Sequence, residues 1–190
     1  MSRLKKSLLC IFALAVTATI SIPLHYYIQF KKREKSYDDL IAQTCKRHNM
    51  DPALIKAVIR RESKFQENIR GRHGEYGLMQ VTPIAADDWM RLNRSGKFSN
   101  YEQLMKPEIN LEIGTWYLAH AMRRWKEYTQ QKTLALAQYN AGPGNVVKKK
   151  WVPSHKSGDA LNLITFPTTK AYIEYILKYE KHYKKEGFEK

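Results

Sequence analysis

Residues 51–65, DPALIKAVIRRESKF, decide the fold, because they combine a helix start with an apolar stripe that carries one acidic side chain. Asp51 followed by Pro52 is typical of an N-cap and a first helical residue. Apolar residues then recur at the helical spacing of a buried face: Leu54, Ile55, Val58, Ile59 and Phe65. At about 100° per residue, Glu62 falls near the middle of this stripe. The pattern therefore predicts a helix that turns one carboxyl group inward.

The charges of the same helix give Glu62 two interpretations. Lys56, Arg60 and Lys64 are expected on the far side, so the helix has a polar face and does not need to bury an acid. Burial raises the pKa of a carboxyl group toward the range of a general acid, because the charged form loses hydration. The alternative is a structural acid paired with an arginine such as Arg61. This helix alone leaves both interpretations open.

The 190 residues carry a net charge of +15, much of it toward the two ends. Such a charge suits an anionic membrane surface or polymer, and nucleic acid is one candidate. However, no nucleic-acid motif is present, and the run KKK at residues 148–150 is typical of a solvated loop. Cys10 and Cys45 form no paired motif, and the six histidines show no HExxH spacing. We therefore expect no nucleic-acid partner, no metal and no cofactor.

Residues 7–30 contain no acidic or basic side chain apart from His25, and basic residues flank this run on both sides. A helix of this length can cross a bilayer, which predicts one N-terminal transmembrane helix. The competing interpretation is a signal peptide whose cleavage would release a secreted protein. We therefore predict a membrane anchor with basic flanks in residues 1–36 and one domain in residues 37–190.

The rest of the sequence predicts a mainly α domain without continuous β alternation. Besides the Glu62 helix, helices are expected at about residues 37–48, 82–90, 110–128, 135–140 and 169–185. A glycine-bearing loop, residues 71–77, contains Arg72, His73 and Glu75 and is expected to be exposed. Loops of this kind carry function more often than cores do.

Three motifs connect this pattern to a known family. Glu62-Ser63 is followed by GLMQ at residues 77–80 and by QYNAG at residues 138–142. In this order and at these separations, the motifs resemble the soluble lytic transglycosylase catalytic domain. Further agreement at Asn110, Gly114 and Tyr117-Leu118 extends the resemblance to about residues 51–172. It implies a lysozyme-like single domain after the predicted transmembrane helix.

The resemblance also implies a reaction. Glu62 would be the single catalytic carboxylate and would protonate the glycosidic oxygen of the β-1,4 bond between MurNAc and GlcNAc in peptidoglycan. The ionised Glu62 would then take the proton of the MurNAc C6 hydroxyl, which attacks its own C1. The product would be a 1,6-anhydro sugar formed without water, whereas ordinary glycosidases use a second carboxylate. No cofactor is needed.

A peptidoglycan substrate implies a cellular place and partners as well. The expected place is the bacterial inner membrane, with a single pass and the catalytic domain in the periplasm. The expected partners are glycan strands, the membrane itself and an envelope-spanning assembly that needs the wall opened.

The matching motifs assign further residues to substrate binding or orientation: Ser63, Gly77, Met79, Gln80, Tyr139 and Asn140. Ser63 would be a hydrogen-bonding neighbour of the acid, or a helix-end hydroxyl that bonds the preceding turn. Gly77 would allow close backbone approach, and Met79 and Gln80 would line the glycan cleft. Tyr139 would hydrogen-bond Glu62, with core packing as the alternative. Asn140 would contact glycan.

Two departures from the family pattern keep alternatives open. Thr168 stands where the family often has a glutamate near the final helix, which puts the peptide or glycan-length preference in doubt. Glu75 stands where small residues are common and could be a second carboxylate near the cleft. In that case the protein would be a hydrolytic muramidase. A non-catalytic glycan-binding scaffold of an envelope-spanning machine is the alternative from a different class.

Overall fold

The computed structural model describes residues 3–93, 98 and 100–188, with side chains described from residue 19 onward except that of residue 20. The chain divides into two compact units, Met1–Tyr37 and Asp38–Lys190.

The first unit contains one helix, α1 (Arg3–Ser36), with Pro23 inside it. Among the residues that the structure describes, no helix combines the length and the apolar character that a membrane crossing requires. The prediction of a transmembrane helix over residues 7–30 is therefore wrong. Polar residues such as Ser21, His25 and Gln29 interrupt the apolar character of the described part of α1.

The second unit is built from helices, which confirms the mainly α prediction. In chain order they are α2 (Asp38–His48), α3 (Pro52–Glu62), α4 (Pro83–Asn93), a 3-10 helix (Tyr101–Met105), α5 (Pro107–Arg124), α6 (Gln131–Ala141), α7 (Pro143–Lys148), α8 (Ala160–Leu163) and α9 (Pro167–Lys185). Two isolated β-bridges, Arg70↔Tyr76 and Tyr76↔Val81, fold the loop between α3 and α4.

The start of α3 follows the sequence prediction. The side chain of Asp51 accepts a hydrogen bond of 2.9 Å from the backbone N–H of Ala53, and Pro52 is the first helical residue. Proline also stands in the first turn of α5, α7 and α9. Its fixed φ suits this position, and its missing N–H would have no partner there. The helix expected at residues 110–128 therefore begins earlier, at Pro107.

Helix α3 lies in the core, packed against α2 and α9. Every residue from Pro52 to Ile59 is buried, including Lys56, which is 5% exposed. The prediction that Lys56 lies on a solvated face is wrong, because α9 and the segment after it cover that side. Lys56 pairs with Asp38, and its Nζ lies 4.2 Å from the ring centroid of Phe188. These contacts compensate the buried charge.

Candidate active site

Glu62 is the last residue of α3, and the chain turns sharply after it. Lys64 and Phe65 both adopt left-handed backbone conformations, with φ of 52° and 62°. Such conformations are costly for residues other than glycine and persist where the surroundings fix them. Here the fully buried ring of Phe65 anchors the turn. Glu62 thus lies at the junction between α3 and the loop that follows it.

The surroundings of Glu62 raise the pKa of its carboxyl group into the neutral range. The residue is partly exposed, but desolvation of its carboxyl group raises the pKa from an ordinary value of 4.5 to about 7. A hydrogen bond from Tyr172 and the charge of Arg61 oppose this rise, whereas the charge of Glu75 adds to it. The end of α3 also disfavours a negative charge, because the helix dipole is negative there. Arg61 thus modulates the acid without neutralising it.

Tyr172 on α9 holds the Glu62 carboxyl group, since its hydroxyl donates a hydrogen bond of 2.6 Å to Oε1. The hydrogen bond to Glu62 that the sequence predicts for Tyr139 is therefore made by Tyr172 in the structure. Tyr139 instead donates to the backbone carbonyl of Met79 at 2.8 Å. The reason is packing: α9 lies against α3, whereas the Tyr139 hydroxyl is directed at the loop. The negative charge of Glu62 helps to raise the pKa of both buried phenols, so both rings lie near the carboxyl group.

Asn110 on α5 fixes the loop that carries GLMQ. Its Oδ1 accepts a hydrogen bond of 2.7 Å from the N–H of Met79, and its Nδ2 donates to the carbonyls of Tyr76 and Leu104 at 2.6 and 2.7 Å. The side chain is fully buried, and these three bonds hold two backbone segments together. In the sequence, Asn110 is recognisable only as part of the family pattern, and its three hydrogen bonds depend on tertiary contacts that the sequence does not predict.

Gly77 and Gly114 are required by protein packing. Gly77 has a φ of +69°, and a Cβ there would lie 2.6 Å from Nδ2 of Asn110. A Cβ on Gly114 would lie 2.7 Å from Sδ of Met79. The side chain of Met79 is fully buried on Gly114, so the prediction that it lines the glycan cleft is wrong. A Cβ on Gly77 would also lie 2.9 Å from the backbone carbonyl oxygen of Leu104, and the close approach of a ligand to this glycine stays a prediction.

Gln80 and Glu75 both bend back onto the loop. The amide of Gln80 donates to the carbonyls of Gly77 and Ile69 at 2.9 and 3.3 Å. The partly buried carboxylate of Glu75 accepts a hydrogen bond of 3.0 Å from the N–H of His73. A Cβ at Gly71 would meet the ends of the Glu75 and Gln80 side chains, so a larger residue there would require these flexible ends to move. Glu75 is close enough to influence Glu62, but one of its oxygens already has a partner.

Two further residues of the motifs differ in exposure. The buried hydroxyl of Ser63 donates to the carbonyl of Ile59 at 3.2 Å, which is the helix-end alternative. Asn140 at the end of α6 is exposed, and its Oδ1 accepts a hydrogen bond of 2.8 Å from Thr169. Its contact with glycan stays a prediction. Within the described residues, no group of three His, Cys, Asp or Glu side chains could hold a metal ion.

This arrangement defines a class of protein. The family model described as Transglycosylase SLT domain matches residues 39–162, which are more than half of the chain. The chain therefore belongs to this family.

Named relatives resemble the chain over most of its length. The soluble lytic murein transglycosylase of Salmonella typhimurium is 28% identical over 175 residues, which cover 90% of this chain and 26% of that protein. Membrane-bound lytic murein transglycosylase C of Edwardsiella ictaluri is 30% identical over 139 residues, which cover 70% of this chain and 38% of that protein. The chain thus spans 26% of the length of the first of these relatives.

Solved structures agree with this assignment. An inactive glutamate-to-glutamine mutant of the lytic transglycosylase Slt from Pseudomonas aeruginosa has a TM-score of 0.68 at 28% identity, covering 78% of this chain and 24% of that one. A complex of a 70 kDa soluble lytic transglycosylase with bulgecin A has a TM-score of 0.70 at 26% identity, covering 90% of this chain and 28% of that one. The predicted lysozyme-like fold of the domain is confirmed.

Proposed function

We propose that the protein is a peptidoglycan lytic transglycosylase that cleaves the MurNAc–GlcNAc β-1,4 bond and forms 1,6-anhydroMurNAc. One observation carries this proposal: the desolvated Glu62 carboxyl has a pKa of about 7 and accepts a hydrogen bond from Tyr172. A group with this pKa can give a proton and take it back at neutral pH. The family membership and the names of the relatives support the same reaction.

In the first step, protonated Glu62 donates its proton to the glycosidic oxygen. The bond between C1 of MurNAc and this oxygen breaks, and its electron pair stays with the departing GlcNAc hydroxyl. Glu62 becomes a carboxylate, which the Tyr172 hydroxyl stabilises by its hydrogen bond. The positive charge of Arg61 favours the same ionised state. Tyr172 therefore acts as a positioning residue that limits how far the pKa of Glu62 can rise.

In the second step, the Glu62 carboxylate takes the proton of the MurNAc C6 hydroxyl. The C6 oxygen forms a bond to C1 and closes the 1,6-anhydro ring, so no water enters the product. Glu62 is protonated again and ready for the next cleavage. One carboxyl group suffices because the acid and base steps follow each other at the same side of the sugar.

Glu75 is the basis of the hydrolytic alternative, because its charge raises the pKa of Glu62. A muramidase would need Glu75 to activate a water molecule for attack on C1. The Glu75 carboxylate is instead engaged with the N–H of His73 in the loop. A non-catalytic glycan-binding module is disfavoured for another reason, since binding alone does not require a desolvated acid.

The test of the proposal is the Glu62→Gln variant. The amide keeps the shape of the side chain and can still accept the Tyr172 hydrogen bond, but it cannot donate and recover a proton. We expect an unchanged fold, retained binding of sacculi and loss of glycan cleavage by several orders of magnitude. Near-wild-type release of muropeptides by this variant would remove Glu62 from the mechanism.

We further propose a location in the bacterial cell envelope, where peptidoglycan lies. The names of two relatives, membrane-bound lytic murein transglycosylases E and C, support this coarser location. Within the envelope, glycan strands are the proposed partner. An envelope-spanning assembly stays a prediction that a pull-down from crosslinked cells would test.

A further inference from the structure

One positive charge lies beside the catalytic acid and is directed to solvent. Arg61 precedes Glu62 in α3, and its side chain is exposed. Its guanidinium carbon lies 5.6 Å from the ring centroid of Tyr172 and 5.7 Å from that of Tyr175. We call these two rings, which stand one turn apart on α9, the aromatic shelf. Cation–π contacts with the shelf restrain the guanidinium, so less freedom is lost when it binds a ligand.

The neighbouring arginine has a different role. Arg60 donates hydrogen bonds of 3.2 Å to the hydroxyls of Tyr175 and Tyr183, and it lies 4.0 Å from the ring centroid of Tyr179. Arg60 thus fixes one ring of the aromatic shelf. Arg61, in contrast, forms no ion pair and no hydrogen bond with any residue in the described parts of the chain. Its planar set of N–H donors is therefore available to a ligand.

The face of α9 that carries the aromatic shelf offers no acidic residue to compensate the charge of Arg61. Thr168 precedes Tyr172 by four residues, so the two lie on the same side of α9. Thr168 is exposed and neutral. An acid at this position would stand near the aromatic shelf and attract the Arg61 guanidinium. With threonine there, the edge of the site favours an anion from the substrate.

We infer that Arg61, held on the aromatic shelf, is a binding subsite for a carboxylate carried by the MurNAc residue next to the scissile bond. The inference rests on the proposed function, in which that sugar is bound at Glu62. A guanidinium binds a carboxylate through two parallel hydrogen bonds. MurNAc carries a lactyl group that leads to the stem peptide. The carboxylate therefore comes either from the stem peptide or, in peptide-free strands, from the lactyl group itself.

The test compares three glycan substrates. The first has free stem-peptide carboxylates, the second has the same carboxylates amidated, and the third is peptide-free with free lactyl carboxylates. We expect the wild type to cleave the first or the third about five- to tenfold better than the second in kcat/KM. Arg61→Gln should abolish this preference. Arg123→Gln removes another exposed positive charge, from α5, and should keep the preference.

Two further measurements separate the subsite from catalysis. Thr168→Glu should reduce the preference as Arg61→Gln does, because the new acid competes for the guanidinium. Affinities for the three substrates in the Glu62→Gln background should show the same preference without any cleavage. If Arg61→Gln loses only the preference for the first substrate over the second, the carboxylate belongs to the stem peptide. If the variant loses the preference for the third substrate over the second, the carboxylate belongs to the lactyl group. The proposed subsite would be overturned by a preference that persists in Arg61→Gln. It would also be overturned if the preference were absent from both the wild type and the Glu62→Gln background. Cleavage by Glu62→Gln would overturn only the proposed function.

Discussion

The proton on Glu62 is held by burial and released with the help of Tyr172 and Arg61. Since the first step needs the protonated acid, kcat/KM should fall as pH rises through about 7, by about tenfold per pH unit above it. The measurement is a pH profile on solubilised glycan strands. A rate that stays constant between pH 6 and 9 would contradict Glu62 as the general acid.

The same shift predicts a pH-dependent stability. The pKa of Glu62 is about 7 in the folded protein and 4.5 ordinarily, so ionisation is harder when the chain is folded. The free-energy cost of ionising Glu62 in the folded protein is absent below pH 4.5, grows as pH rises and is complete above pH 7. Glu62→Gln lacks this cost and should raise the free energy of unfolding by about 3 kcal/mol at pH 8. Urea unfolding should show little difference at pH 4, and an equal difference at both pH values would refute the linkage.

A matched pair of phenol deletions separates the two tyrosines. Tyr172→Phe removes the hydrogen bond to Glu62, so activity should fall by about one to two orders of magnitude and the pKa in the pH profile should rise. Tyr139→Phe removes the hydrogen bond to the Met79 carbonyl, so it should lower stability by about 1 kcal/mol and leave that pKa nearer the wild-type value. If only Tyr139→Phe moved the pH profile, the orienting hydrogen bond would belong to Tyr139 in solution.

The sequence could predict Glu62 but not the partner that holds it. Helical phase alone placed the acid among apolar residues, and the structure shows its carboxyl group desolvated. The hydrogen bond from Tyr172 depends on how α9 packs against α3, more than a hundred residues later in the chain. The available signal was the segment ITFPTTKAY at residues 164–172, in which Thr169 and Tyr172 fit the Pro-x-x-Glu-Thr-x-x-Tyr pattern that the family often has near the final helix. Tertiary packing therefore decides that Tyr172, and not Tyr139, donates the hydrogen bond to Glu62.

At the scale of the elements, the contact between α5 and the GLMQ loop positions the site. Gly114→Ala would place a Cβ 2.8 Å from Cβ of Met79, which lies too near the backbone to move freely. We expect a loss of about 1–3 kcal/mol in stability and a weaker loop position. The control is Gly144→Ala in α7, where a Cβ meets nothing within 4 Å. Equal melting temperatures for the two variants would contradict the packing argument.

The helices were predictable to within a few residues, and the errors have physical reasons. Start signals such as Asp51-Pro52 are local, so α3 begins where its sequence says. Which face of a helix is covered is not local: Lys56 looks solvated in the helical pattern, but α9 buries it. Met79 is a similar case, since only the tertiary position of Gly114 reveals why its side chain turns away from the loop surface.

At the scale of the whole molecule, the contact pattern divides the chain after Tyr37. We expect residues 38–190 to fold alone and to cleave solubilised glycan strands, because this unit contains Glu62 and every partner described for it. Circular dichroism and muropeptide release by the shortened protein are the measurements. A shortened protein that folds but is inactive would show that the site needs residues 1–37.

The two units also differ in how well the sequence predicted them. Ordered motifs separated by fixed distances identified the family of the second unit, because spacing carries information that a single motif lacks. The long run without acidic or basic residues predicted a membrane crossing in the first unit, and that prediction was wrong. A segment without acidic or basic residues can be long enough to cross a membrane and still lack the apolar character that a crossing requires.

The central claim is that a single carboxyl group performs both steps and that no water is consumed. Digestion of sacculi in heavy-oxygen water, followed by mass analysis of the muropeptides, tests it most directly. The account predicts products without label at C1, ending in an anhydro sugar about 18 mass units lighter than an end hydrolysed in ordinary water. Labelled reducing-end MurNAc that disappears in Glu75→Gln would contradict the account and assign a hydrolytic role to Glu75.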